Sequence, residues 1–169
     1  MTHLSLHGDR VTLRLLTEAD LERLLQILLQ PGVAEWWPGY DMARLQADTH
    51  QPTTTSLAVE LGGKVVGLVM YTEQADQYYR SAGIDIALDV TCVGQGLGSD
   101  TLRTLARHLF DDCGHHRITI DPALANERAI GAYKKVGFKP IGIGREYEKG
   151  ADGTFHDNLL MDMLLGELQ

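Results

Sequence analysis

The stretch DVTCVGQGLGSDTLRTLARHLF puts three glycines, Gly94, Gly96 and Gly98, into five positions and then runs directly into an amphipathic helix. Glycine loses more conformational freedom on folding than any other residue, so a cluster of this kind needs a use. One use is a tight strand-to-helix turn. Another is a seat for an anion, whose oxygens lie against bare backbone N–H groups at the positive end of a helix dipole. The motif is not a P-loop, because no Lys-Ser or Lys-Thr pair follows the glycines. Nor is it a dinucleotide fingerprint: the spacing differs, and it falls late in the chain rather than in an opening βαβ unit. A plain turn and a diphosphate seat built from the N–H groups of Val93 to Ser99 both stay open on this motif alone.

The rest of the chain reads as elements of one sheet and its helices. DRVTLRLL alternates Val11, Leu13 and Leu15 on one face, a first strand. Thr17 and Asp20 in TEAD have the spacing of a capping box, opening a helix that runs to about Gln30, where Pro31-Gly32 stops it. VAEWWPGYD is a loop carrying both tryptophans, followed by a short helix over about Asp41–Gln51. TSLAVELGGKVVGLVMYTE predicts two strands joined at Gly62-Gly63. AGIDIALD predicts a strand with Ile84, Ile86 and Leu88 on one face and Asp85 and Ala87 on the other. Beyond the glycine bend, Leu97, Leu102, Leu105, Ala106 and Leu109 line a helix to about Asp112. HRITID is a strand, NERAIGAYKKV a helix stopped by Gly137, and strands over about Lys139–Tyr147 and Phe155–Leu165 flank the turn GADG. The 169 residues fit a single domain of α/β (α+β) class, residues 1–169, with one sheet covered by helices.

Charge narrows the partners. The net charge of −8 makes nucleic acid a poor ligand. It is also uneven: residues 31–90 carry eight acids against three bases, whereas residues 103–149 carry nine bases against six acids. Such a split suits a cationic ligand on one half and an anionic one on the other, and it equally serves plain solubility. No apolar run reaches the ~18 residues that span a bilayer. The opening MTHLSLHGDR lacks the basic start and apolar stretch of a signal peptide, so the expected location is cytoplasmic, with no membrane partner. Cys92 and Cys113 lack metal-site spacing and read as two free thiols; no metal is expected. His115 and His116 open a strand after a helix end, and solvation of that end is their simplest role.

The segment NERAIGAYKKVGF sets Asn126 and Tyr133 two helical turns apart, hence nearly on one face. Together with the glycine bend, about 28 residues earlier, it resembles two successive motifs of the GCN5-related N-acetyltransferase (GNAT) family. The resemblance runs from the first strand to the last. It implies a mixed, mostly antiparallel sheet of about six to seven strands with about four helices, and acetyl-CoA as cosubstrate. It assigns cofactor binding to Val93, Gly94, Gln95, Gly96, Leu97, Gly98, Ser99 and Asn126, and to the strand backbone at Ile86, Ala87 and Leu88. The family usually has Gln or Arg at the first position of its loop, where this chain has Val93; since backbone donors do most of that binding, cofactor binding is expected to survive. Within the family the chain is most similar to aminoglycoside 6′-N-acetyltransferases, through EWWPG, GIDIAL, GQGLGSDTLRTL and ITIDPALANERAIGAYKKVGF. That likeness implies catalytic roles for Asp85 and Tyr133 and substrate contacts for Trp36, Trp37 and Asp121. EQADQYYRSAG departs from it, standing where those enzymes carry a longer aromatic segment with a tryptophan pair; Tyr78 and Tyr79 are the candidate substitutes.

The chemistry asks for such groups. An alkylammonium with a pKa of ~10.4 costs roughly 4–5 kcal/mol to neutralise at pH 7. A carboxylate facing a partly desolvated pocket attracts the cation and then receives its proton. Alternation places Asp85 opposite Ile84 and Ile86, pointing to a cleft or simply to solvent. The leaving thiolate, of pKa ~8.5, can take a proton from a tyrosine hydroxyl near ~10. Tyr133 shares its stripe with Ala129, Ile130 and Val136, so a packed ring and a reactive hydroxyl are compatible. By the same resemblance a backbone N–H of Ile86–Leu88 serves the developing oxyanion, and no acyl-enzyme is implied. Glu35 and Asp121 add negative charge near the tryptophans, which favours an acceptor with several amines.

The expectation is therefore an acetyl-CoA-dependent N-acetyltransferase, monomeric or homodimeric, acting on a small cationic amine, foremost an aminoglycoside 6′-amine. Siderophore hydroxylysine-type amines, protein N-termini and a non-catalytic acetyl-CoA-binding module are the competing readings.

Overall fold

The structure is a computed structural model and describes residues 3–169. Eight strands form one sheet: β1 (Ser5–His7), β2 (Val11–Leu15), β3 (Thr54–Leu61), β4 (Lys64–Gln74), β5 (Ser81–Leu88), β6 (Arg117–Ile120), β7 (Lys139–Lys149) and β8 (Phe155–Leu164). Their order is β1-β2-β3-β4-β5-β6-β8-β7, and every pairing is antiparallel except that of β5 with β6. The helices are α1 (Leu21–Leu28), α2 (Pro31–Ala34), α3 (Met42–Thr49), α4 (Leu97–Arg107) and α5 (Glu127–Val136).

Two elements exceed the expected set. The short strand β1 pairs only with β2, through Leu6↔Leu13, and its three residues carry too little alternation to stand out in the sequence. Pro31 does end the preceding helix, yet it also begins α2 as its first residue, where a missing N–H costs nothing. The capping box at Thr17 and Asp20 is present, opening a 3₁₀ turn that leads into α1. Gly137 closes α5 at φ 125°, and a Cβ there would lie 2.3 Å from the Glu167 carbonyl oxygen, so only glycine fits.

Two apolar clusters, one on each face of the sheet, hold the layers together. Leu97, Leu102, Leu105, Leu109, Ile130 and Val136 pack with Leu57, Val59, Val69 and Ile84 on the α4/α5 face. Leu21, Leu24, Ile27, Leu28 and Leu45 pack with Leu68, Met70 and Ala87 on the α1/α3 face. Each fully buried aliphatic side chain contributes about 1.5–3 kcal/mol of apolar transfer free energy.

The single parallel pair positions the site. β5 and β6 are in register only at Ala82↔Ile118 and Gly83↔Thr119. From Ile84 onward β5 stays paired with β4 alone, so the sheet opens between β5 and β6. Asp85 falls in this open half, opposite Met70 of β4 and thus on the α1/α3 face.

Candidate active site

Gly94 and Gly96 adopt φ values of +78° and +79°, in the left-handed region that other residues enter only under strain. Nothing lies within 4 Å of a Cβ at either position, so backbone conformation rather than crowding calls for glycine. Gly96 is the N-cap of α4, whose first N–H groups have no intrahelical partner and carry the positive end of the helix dipole. Gly98 lies in the helix itself, where a Cβ would make an ordinary 3.6 Å contact with Leu88.

This bend borders a cavity of about 420 Å³. Leu88, Val93, Gly94, Gly96, Gly98 and Ser99 form one wall, and Arg128, Gly131, Ala132 and Lys135 of α5 form another. The α5 residues are spaced i, i+3, i+4 and i+7, one stripe with a cation at each end and small residues between. The sequence reading did not single out Arg128 or Lys135; the excess of bases over residues 103–149 was their only signal. A helix N-terminus, two cations and an apolar floor suit a long anionic ligand with a diphosphate.

The bend is held from behind. The Arg10 Nη1 donates to the Gln95 carbonyl at 2.8 Å, and Gln95 Nε2 donates to the Thr91 carbonyl at 2.7 Å. Asp100 accepts from the backbone N–H groups of Asp9, Arg10 and Val11, tying the β1–β2 turn to the first turn of α4. Burial alone would raise the Asp89 carboxyl, but hydrogen bonds from Thr91, Arg23 and Gln30 bring it down to about 2. Gln95 and Leu97, both expected to touch the cofactor, are absent from the wall of this cavity: Leu97 is fully buried, and the Gln95 side chain is turned back onto Thr91.

A second cavity, about 740 Å³, lies across the opening of the sheet. Four acids line it: Asp48, Asp85, Asp121 and Glu148. Trp36, Trp37, Ile86, Asn126 and Tyr133 line both cavities and so stand at their junction. Asp85 is open to the water of the cleft, yet burial of its carboxyl and the charges of Asp121, Asp48 and Glu148 push it up to about 6. Burial raises Asp121 as well, against hydrogen bonds from Tyr147 and Asn158. Burial, then Asp85 and Asp121, raises the Tyr133 hydroxyl, which keeps it protonated as an acid must be. Its ring packs against that of Phe138, 6.2 Å between centroids, while the residue lines both cavities. Asn126 caps α5, its Oδ1 accepting from the Ala129 N–H at 3.2 Å.

Not every expected residue joins the cleft. Tyr78 and Tyr79 are 81% and 75% exposed in the β4–β5 connection and belong to neither cavity wall. His115 is not a solvated helix end: it is 2% exposed, and its Nε2 lies 2.8 Å from the Glu73 carboxylate. Only His116 faces solvent. Glu35 lines a neighbouring cavity with Glu148, Asp152 and Asp157 rather than the main cleft. Arg44, Asp48 and Glu148 went unnoticed in the sequence. Cys92 and Cys113 are both free, and the described residues contain no His/Cys/Asp/Glu group able to hold a metal ion.

Comparison with known proteins bears on this arrangement directly. Residues 21–138 match the model of the acetyltransferase (GNAT) family, more than half of the chain. The chain belongs to the GNAT acetyltransferase family. This acetyltransferase is 33% identical over 156 residues to aminoglycoside N(6′)-acetyltransferase type 1 of Klebsiella pneumoniae, covering 80% of this chain and 77% of the relative. The structure of AAC(6′)-Ib in complex with paromomycin and acetyl-CoA superimposes with a TM-score of 0.75 at 29% identity, over 93% of this chain and 94% of that one. The spermidine N-acetyltransferase of Vibrio cholerae, in complex with CoA and spermine, shares the fold with a TM-score of 0.81 at 22% identity, over 95% and 98% of the two chains.

Proposed function

We propose that this acetyltransferase moves the acetyl group of acetyl-CoA to a primary amine of a small polycation, with the 6′-amine of an aminoglycoside as the leading acceptor. The reading is carried by one observation: Tyr133 stands where a cavity suited to a diphosphate chain joins a cavity lined by four acids, Asp85 among them. The relatives named for aminoglycoside 6′-acetylation support the choice of acceptor.

The N–H groups of Val93 to Ser99, with Arg128 and Lys135, would hold the diphosphate and the anionic end of acetyl-CoA. Val93 offers no polar side chain, so backbone donors and the α5 cations take that work. The four acids draw the acceptor in as an ammonium. Asp85, ionised above about pH 6, receives the ammonium proton directly or through water. The freed amine lone pair forms the C–N bond to the thioester carbonyl carbon. A backbone N–H of Ile86–Leu88 stabilises the oxygen as it gains charge. The C–S bond then breaks, the departing sulfur takes the Tyr133 proton, and the surplus proton on the newly acylated nitrogen returns through cleft water to the Tyr133 oxygen, leaving the neutral amide and the hydroxyl restored. No residue is acylated, because the amine attacks the thioester itself. Trp36 and Trp37 supply apolar walls against which a sugar ring can stack, while Asp121 and Glu148 hold further amines.

The test is thiol release from acetyl-CoA with a panel of amines: a kanamycin-like aminoglycoside, polyamines, a hydroxylysine-type amine and peptide N-termini. The aminoglycoside is expected to give the highest kcat/KM. Preference for a peptide N-terminus or a hydroxylysine-type amine would replace the acceptor assignment. Tight acetyl-CoA binding with no turnover of any amine would leave a non-catalytic binding module.

A further inference from the structure

On the α3 wall of the acceptor cavity, a cation of the chain's own already occupies a cage. The Arg44 guanidinium carbon stands 4.3 Å from the centroid of the Tyr40 ring. Its Nη1 donates to the Pro38 carbonyl at 2.6 Å, and its Nε is 3.6 Å from Asp48 Oδ2. The Tyr40 hydroxyl donates to the same Asp48 oxygen at 2.7 Å, which fixes the carboxylate against the ring. Trp37 lies 5.6 Å from Tyr40, ring to ring, and closes that side. An aromatic face, a carbonyl and a carboxylate gathered around one cation are the groups an alkylammonium needs on leaving water. Pro38, Tyr40, Arg44 and Asp48 all line the acceptor cavity, and the Asp48 charge reaches the Asp85 carboxyl.

The fold does not require the Arg44 side chain there. Its backbone N–H donates to the Asp41 cap of α3, a bond that any residue but proline would make at this position. The side chain itself is 49% exposed. A half-exposed ion pair of this kind is weak enough for a ligand cation to displace.

We propose that Tyr40, Asp48 and the Pro38 carbonyl form a second ammonium subsite, plugged by the Arg44 guanidinium until a substrate with a second amine takes its place. The inference rests on the acetyltransferase reading above. It defines the acceptor as a diamine or longer polycation: one amine reaches Asp85 while another replaces Arg44. Arg44 thereby acts as an internal competitor, weakening the binding of polyamines and leaving single-amine ligands indifferent to its presence.

Calorimetric binding of spermine and of 1-aminobutane to the full chain tests this without requiring turnover. Arg44→Ala should bind spermine ~3–10-fold more tightly, the range expected from freeing a partly exposed ion pair and a cation–π contact. Its 1-aminobutane affinity should not change, and adding Asp48→Asn should abolish the gain. Arg44→Met, which keeps the aliphatic stem, guards against a packing effect and should behave like Arg44→Ala. Unchanged or weaker spermine binding in both Arg44 variants would overturn the subsite, as would an equal gain for 1-aminobutane, which would mark mere removal of positive charge. Tighter spermine binding with no turnover of any amine would leave the subsite standing and overturn the transfer reading instead.

Discussion

Replacing Asp85 by Asn should make the protein more stable at neutral pH while disabling it. The Asp85 carboxyl ordinarily titrates at 3.8 and is raised to about 6 by burial and by Asp121, Asp48 and Glu148, with no hydrogen bond to offset them. A carboxyl with a raised folded-state pKa binds more protons folded than unfolded. Its ionisation therefore costs stability as the pH climbs between those two values. The cost is absent below about pH 3.8 and complete above about pH 6. Taken at face value, the difference corresponds to ~3 kcal/mol, at ~1.4 kcal/mol per pH unit. Because Asp85 stays open to the cleft's water, about 1–1.5 kcal/mol is the appropriate share. For a chain of this length, that is a rise in Tm of about 2–6 °C. Thermal melts of wild type and Asp85→Asn at pH 7.5 and pH 4 read it out. The variant should melt higher at pH 7.5, with the gap closing toward pH 4. An equal or lower Tm at pH 7.5 would show that Asp85 carries no electrostatic cost and would remove the physical basis for its role as a base.

The same group sets the pH dependence of turnover: kcat/KM should fall about tenfold per pH unit below about pH 6, as Asp85 takes up its proton, and hold level above it. Asp85→Ala should lose roughly 10²–10⁴ in kcat with acetyl-CoA affinity retained, by steady-state kinetics and calorimetry; equal losses in both would make Asp85 structural. Tyr133→Phe should lower kcat with an unchanged melt, and an unaltered kcat would end its role as the acid. Gly96→Ala forces a side chain into a left-handed backbone at a cost of ~1–2 kcal/mol, and should raise the KM for acetyl-CoA far more than that for the amine.

What the sequence disclosed was local. The alternation of GIDIAL is enough to set Asp85 apart from Ile84, and the glycines of VGQGLG are enough to mark a tight bend before a helix. The capping box at Thr17 and the glycine stop at Gly137 are equally short-range signals. What it hid depends on tertiary placement. The opening between β5 and β6 exists because their register ends at Gly83↔Thr119, which no pattern in either strand records. Asp48 and Glu148, a hundred residues apart, line one cavity with Asp85, which no local pattern announces. Pro31 shows how one residue carries two messages, ending one helix and starting another. His115 reads as solvated from its neighbours, yet it is buried with its Nε2 2.8 Å from the Glu73 carboxylate, forty-two residues away in the chain.

A crystal structure with coenzyme A bound tests the central claim most directly. The diphosphate should lie against the N–H groups of Val93 to Ser99, with the sulfur at the junction of the two cavities, within hydrogen-bond reach of the Tyr133 hydroxyl. A diphosphate bound elsewhere, or a sulfur directed away from Tyr133 and Asp85, would contradict it.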